Sequence, residues 1–169
     1  IEAAVKQLNY SQDNLARILV TGKSNLVGII FPHLRLGFYT ELLNQLIEHG
    51  KAKGYNFIVY TSEESEDEER ELIRQLISYR IKGLILLSHL LPSHEIEKLE
   101  IPVITVERAG GQFMQINNDN FAGGKLAGEL LVRNRCEQFI HINDGYYEDW
   151  PSFKRILGFE FAVNDHPYE

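Results

Sequence analysis

The sequence predicts an α/β protein built on doubly wound parallel sheets. Three observations lead there. Short apolar runs at 26–31, 57–60, 83–88 and 102–106 are each bounded by turn residues, which suits strands buried on both faces. Between them, apolar residues recur at helical spacing. Strand and helix therefore alternate along the chain, and a strand, helix, strand unit of this length forces a parallel pair with a right-handed crossover.

Taken in order, residues 2–8 read as the end of a helix, with Ala3, Ala4, Val5 and Leu8 on its apolar side. Asn9-Tyr10-Ser11 breaks it, and Asp13 or Asn14 can cap a second, very short helix from Leu15 to Leu19. A helix that short is marginal in water and is expected to be ordered only when something holds it. After a turn at 21–24 comes the first strand, 26–31, ending at Pro32. The following helix carries Tyr39, Leu42, Leu43, Leu46 and Ile47 as one stripe, with Lys51 and Lys53 in its last turn and Gly54 free to take a left-handed cap. Ligands of such sheets bind beyond the carboxyl ends of the strands, so the loop 33–38 is expected to border a pocket.

The pattern then repeats. Ser65 with Glu68 makes a capping box, and Glu66, Asp67, Glu68 and Glu69 crowd a first turn where negative charge is favoured. Leu72, Ile73, Leu76 and Ile77 give the buried stripe. Ser93 begins a short helix through Leu99. Gly110-Gly111 turns the chain into an extended stretch at 113–117. Asp119 or Asn120 caps a helix to about Val132, where Ala122, Gly123, Ala127 and Gly128 offer a thin face for close packing against a sheet. A fifth strand is expected at 139–143, and Ser152 caps a last helix with Ile156, Phe159 and Val163 inward. A boundary falls near 107–118. Residues 25–110 hold nearly a whole layered unit, whereas 111–169 hold too little to close a core, so the second subdomain reads as cut short.

The chain has 169 residues, enough for a real core, with net charge −7. The body should therefore not cling to nucleic acid by itself. Residues 1–23 differ: Lys6, Arg17 and Lys23 outweigh Glu2 and Asp13 for a net of +1, leaving −8 on the remainder. A single cysteine, Cys136, excludes an internal disulfide and fits a reducing cytoplasm. No apolar run is long enough to span a membrane.

Several apparent motifs have plainer explanations. Gly22-Lys23-Ser24 ends like a phosphate-binding loop, but Arg17 occupies the position of the first glycine, and the turn precedes a strand instead of following one. Gly123-Gly124-Lys125-Leu126-Ala127-Gly128 lacks the Gly-x-Gly spacing of a dinucleotide fingerprint. Six scattered histidines and one cysteine offer no metal-ligand spacing, and no cofactor is expected. No nucleophile, base and orienter can be identified, which argues against an enzyme. The acidic run 63–71 is best explained as a helix start with a solvated face.

Polar residues gather at strand ends: Ser62, Ser88, Arg108, Asn118, Asp119, Asn143 and Asp144, with Arg155 one turn into the last helix. Phe38, Tyr39, Tyr146, Tyr147 and Trp150 lie nearby in sequence. Carboxylates, amides and guanidinium groups hold sugar hydroxyls, and aromatic rings cover the apolar face of the sugar. Some of these residues, Asp119 and Ser152 above all, can equally be caps.

In combination these residues resemble the LacI/GalR family of sugar-responsive transcriptional repressors. The resemblance is carried by Asn9-Tyr10, Asn14 to Leu19, Thr21 to Ser24 and Val27-Gly-Ile-Ile. It continues in Gly37-Phe38-Tyr39, Lys82-Gly-Leu-Ile-Leu, Ile101-Pro-Val-Ile, Asn118-Asp119-Asn120 with Gly123-Gly124, and Arg155-Ile-Leu-Gly158-Phe159. Within the family the likeness leans toward sucrose-type repressors. It implies a periplasmic-binding-protein-like core of two subdomains with a sugar or sugar phosphate between them, in a cytoplasmic homodimer on operator DNA. Residues 1–24 would be the tail of the DNA-binding domain and the hinge helix, with Leu15, Ala16, Arg17 and Leu19 at the DNA and Leu19 wedged into the minor groove. Residues 25–110 would form the first subdomain and 111–169 the start of the second. Phe38, Tyr39 and Ser88 would meet the effector from the first, and Asp119, Trp150 and Arg155 from the second. Glu107-Arg108 stands where the family usually has Asp-Arg. The alternative is a transport-type sugar-binding protein of the same core with no DNA role.

Overall fold

The computed structural model describes residues 24–63, 65–88, 90–108, 110–143 and 150–164. The expected hinge helix with Leu15, Ala16, Arg17 and Leu19, and the residues Asp144, Tyr146 and Tyr147, lie outside the described residues. The elements are β1 (Leu26–Phe31), α1 (Gly37–Ala52), β2 (Asn56–Thr61), α2 (Glu66–Ser78), β3 (Gly83–Leu86), α3 (Ser93–Ile96), β4 (Val103–Val106), β5 (Met114–Ile116), α4 (Asn120–Arg133) and α5 (Phe153–Asn164). The strands run in the order β2-β1-β3-β4-β5. Two compact units divide inside β3, Ile1–Leu84 and Ile85–Glu169.

In the first unit β1 pairs with β2 in parallel, from Leu26 opposite Asn56 to Phe31 opposite Thr61. Ile29, Ile30 and Phe31 are fully buried, as a central parallel strand requires. The α2 helix seals one side with Ile73 and Leu76. It lies so close that a Cβ on Gly28 would come within 2.9 Å of a Leu76 methyl. Ser65 caps α2 by accepting from the Glu68 N–H at 3.3 Å. The acidic run is, as expected, a helix start: Arg70 bridges Glu66 and Asp67, and Arg74 bridges Glu71. The α1 stripe is only half-buried, with no residue fully covered. After α1, Gly54 takes φ +79°, a turn closed by its N–H on the Lys51 carbonyl.

In the second unit β4 pairs with β5 in parallel, Ile104 opposite Met114 to Val106 opposite Ile116. The extended stretch expected at 113–117 is thus a strand. The helix expected from Ser93 to Leu99 ends at Ile96 and continues only as a turn. Two expectations fail here. Residues 139–143 form no strand, and Ile140 and Ile142 stand 82% and 88% exposed. A strand exists only with a ladder partner, and none lies beside this stretch among the described residues. The thin face of α4 holds Gly128 as expected, but Gly124 stands in it where Gly123 was expected. Gly123 meets nothing within 4 Å, while a Cβ on Gly124 would land on the Arg155 carbonyl oxygen, and one on Gly128 would sit 2.7 Å from the Ala162 Cβ. Gly158 of α5 reciprocates against the Phe121 carbonyl. Small residues here serve a helix–helix crossing of α4 on α5, not helix–sheet packing.

Candidate functional site

The first unit offers an aromatic cluster at the carboxyl end of β1. Buried Phe31 ends the strand, and the Tyr39 ring packs edge-on against it at 5.7 Å between centroids. His33 meets Tyr39 at 5.4 Å and Phe38 meets it at 5.6 Å. Phe38 is 53% exposed, so one ring face is open to a ligand while Tyr39 is the half-buried base of the cluster. Burial raises the Tyr39 hydroxyl pKa above its ordinary value, which keeps it a neutral donor and acceptor. The Arg35 N–H donates to His33 Nδ1 at 3.3 Å and shapes the loop. Beside it lies a cavity of about 310 Å³ lined by His33, Leu34, Arg35, Thr61 and Glu63. The α1 helix begins at Leu36, which has no side-chain oxygen to cap the first turn, and no acid stands in that turn. The Tyr39 and Thr40 N–H groups already donate to the Leu36 carbonyl, at 3.1 and 3.4 Å, which leaves those of Gly37 and Phe38 to face ligand oxygens.

The second unit brings together Glu107, Asn118, Asp119, Asn120 and Arg155. Asp119 is the N-cap of α4, accepting from the Ala122 N–H at 3.0 Å. That role leaves Asn120 as the first helical residue, 4% exposed. Its Oδ1 accepts from Arg155 Nε at 3.1 Å and Nη2 at 2.5 Å. Its Nδ2 donates to Glu107 Oε2 at 3.0 Å, while Glu107 Oε1 accepts the Asn118 N–H at 2.5 Å. Arg155 is exposed at the surface of α5, with its guanidinium aimed by this chain of bonds.

Ser88 and Trp150 stand apart from that group. Ser88 is fully buried, and its carbonyl accepts from Arg108 Nη1 at 3.3 Å. Arg108, 6% exposed, also donates through Nη2 to the Leu91 carbonyl and lies 6.0 Å over the Phe113 ring. Its backbone is locked to the Asn117 amide in both directions, at 2.9 and 3.1 Å. Arg108 thus fastens the segment after β3 to the end of β4. Trp150 is 40% exposed, and its carbonyl accepts the Phe153 N–H at the turn into α5.

The loop 33–38 borders a cavity as expected, through His33, Leu34 and Arg35, whereas sequence reasoning missed Glu107 and Asn120 as members of the second group. The triplet Asn118-Asp119-Asn120 was the available signal, since only one residue of three can occupy the cap. No group of His, Cys, Asp and Glu that could hold a metal ion occurs among the described residues. Among them, too, no helix is long and apolar enough to cross a membrane.

Comparison with known proteins agrees with this architecture. The chain is 34% identical to the sucrose operon repressor of Streptococcus mutans over 99% of its own length and 52% of that protein's. It is 29% identical to the ribose operon repressor of Halalkalibacterium halodurans, over 96% of the chain and 49% of the relative. The chain thus spans about half the length of the curated relatives it matches. Among solved structures, the lac repressor dimer bound to operator and an anti-inducer superposes with a TM-score of 0.84 at 20% identity, over 97% of this chain and 51% of that one. These relatives are repressors, not enzymes, which agrees with the want of an identifiable catalytic constellation in the sequence. Residues 24–166 match the model describing periplasmic binding proteins and the sugar-binding domain of the LacI family, and the chain belongs to that family.

Proposed function

We propose that this chain is the effector-binding part of a ligand-responsive transcriptional repressor. In this reading a sugar or sugar phosphate sits between two subdomains, residues 25–110 and the one begun by 111–169. Phe38 and Tyr39 supply the ring face and a neutral hydroxyl, and Asp119 and Arg155 supply charged hydrogen bonds to hydroxyls or phosphate. Trp150 completes the set, and Ser88, fully buried and tied to Arg108, would have to be uncovered to join it. The observation that carries the reading is the Arg155 guanidinium held through the Asn120 amide, the residue next in sequence to Asp119. An acceptor and a fork of donors, paired with exposed aromatic surface elsewhere, is what a polyhydroxylated ring requires. The names of the relatives support a sugar as the ligand class.

Effector occupancy would bias the arrangement of the two subdomains and thereby the hinge helix at Leu15, Ala16, Arg17 and Leu19. In a cytoplasmic homodimer on operator DNA this coupling is worth about 1–3 kcal/mol, typical of allosteric linkage. The test is a thermal-shift screen of the intact protein against sugars and sugar phosphates. A ligand at a hundred times its dissociation constant adds about 2.7 kcal/mol to stability. Operator binding that changes with the same ligand supports a repressor. Sugar binding with no DNA binding supports the transport-type alternative, and no stabilisation by any sugar refutes both.

A further inference from the structure

We propose that Glu107 is a positioning residue for the effector anchor: its carboxylate sets the polarity of the Asn120 amide, and that polarity holds Arg155. This deepens the reading above, since it takes Arg155 to be a ligand contact, but the placement of Arg155 can be tested without any ligand.

The inference starts from a backbone N–H, which can only donate. The Asn118 N–H donates to Glu107 Oε1 at 2.5 Å. The other carboxylate oxygen, Oε2, therefore faces Asn120 as an acceptor, and Asn120 must turn its Nδ2 toward it, at 3.0 Å. An amide has donors at one end and an acceptor at the other. Nδ2 also donates to the Asn118 carbonyl, a longer bond at 3.4 Å that favours the same orientation, and its commitment to these acceptors points Oδ1 at Arg155, where it receives both Nε and Nη2. Arg155 itself cannot reverse the sequence, because a guanidinium only donates. The bonds thus run in one direction, from N–H to carboxylate to amide to guanidinium. Asn120 is 4% exposed, so water cannot take the place of a wrong partner.

The backbone supports this placement. Glu107 sits at φ +54°, a left-handed conformation unusual for a residue other than glycine. Its own N–H donates to the Ile116 carbonyl at 3.0 Å. The chain is turned sharply at the end of β4, and the carboxylate is delivered to the start of α4. Such an outlier persists only where surrounding bonds hold it, and here its side chain makes two of them.

Three variants test the direction of the chain. E107Q keeps the shape but must still accept from the Asn118 N–H, so its new NH₂ faces the NH₂ of Asn120. N120D alone sets two carboxylates against each other. E107Q combined with N120D restores order, because the introduced NH₂ now donates to an introduced carboxylate that still accepts from Arg155. The readout is the Arg155 Nε–H resonance in arginine-labelled intact protein, assigned by its loss in R155K. We expect a slowly exchanging signal in the wild type, its loss in E107Q, and its recovery in the double variant. Survival of the signal in E107Q, or a double variant no better than E107Q, overturns the proposal. Unfolding midpoints of the same four proteins guard against simple misfolding. The double variant should melt above both singles, and additive losses would overturn the assignment. Titration with sucrose, ribose and a hexose phosphate adds the functional arm, with any affinity expected to fall about tenfold in E107Q and return in the double. If none of these binds the wild type, the sugar-sensing reading loses support while the resonance pattern still decides the role of Glu107.

Discussion

Replacing Gly124 by alanine should destabilise the protein, although the same change one position earlier should stabilise it. Both glycines lie inside α4, where alanine is favoured over glycine by about 1 kcal/mol. Gly123 faces open space, so G123A should gain about that amount. At Gly124 the new methyl falls on the Arg155 carbonyl oxygen, with the Phe159 backbone nitrogen 3.0 Å away. The obstacles are backbone atoms, which cannot rotate aside, so α5 must move. Overpacking of this kind costs about 1–3 kcal/mol, which outweighs the propensity gain. Both gain the same propensity term, so the two variants should differ by the overpacking cost alone, about 1–3 kcal/mol. At about 2–4 °C per kcal/mol, their melting midpoints should lie about 2–12 °C apart. Calorimetry on both variants and the wild type measures this directly. If G124A melts at or above G123A, the close crossing of α4 on α5 is refuted. Because the displaced atom belongs to Arg155, G124A should also weaken sugar binding, whereas G123A should not.

Other outcomes follow from the caps, the anchor and the ring cluster. D119A should cost about 1 kcal/mol through loss of the α4 cap, while D119N, an equally good cap, should not; denaturant titration compares them, and both should weaken sugar binding in calorimetric titration if the carboxylate is a ligand contact. S65A should likewise cost about 1 kcal/mol by uncapping α2, read from the same denaturation curves. R155A should abolish the sugar response in a reporter strain while leaving the unfolding transition cooperative. Burial raises the Tyr39 pKa, so the folded state holds that proton more tightly than the unfolded chain. Stability should be fully present below pH 10, the ordinary tyrosine value, and should fall as pH rises through the higher folded value. Tyr60 is raised too, by burial and then by its bond to the Tyr79 hydroxyl, so Y39F should lessen the alkaline loss without removing it; equilibrium unfolding at a series of pH values gives the slope.

The first unit was legible because its signals are local. The apolar run of β1, the stripe of α1 and the Ser65 cap each need only a few neighbouring residues to act. Phe38 and Tyr39 were legible too, as the first aromatic pair after a strand end. What failed depended on distant partners. A helix advances 100° per residue, so pattern alone could not tell Gly123 from Gly124; only the position of α5 does. Residues 139–143 alternate like a strand, yet alternation does not supply a ladder. Asn120 read as a spare cap because its function comes from Glu107, thirteen residues away, which reaches it through a backbone turn that no side-chain pattern announces.

The open stretch at 139–143 bears on how the chain behaves as a material. Ile140 and Ile142 present greasy surface beside main-chain groups that lie in no ladder, the recipe for edge-to-edge association between molecules. A preparation of these 169 residues should thus clump as its concentration rises. Lysine at positions 140 and 142 should keep it dispersed.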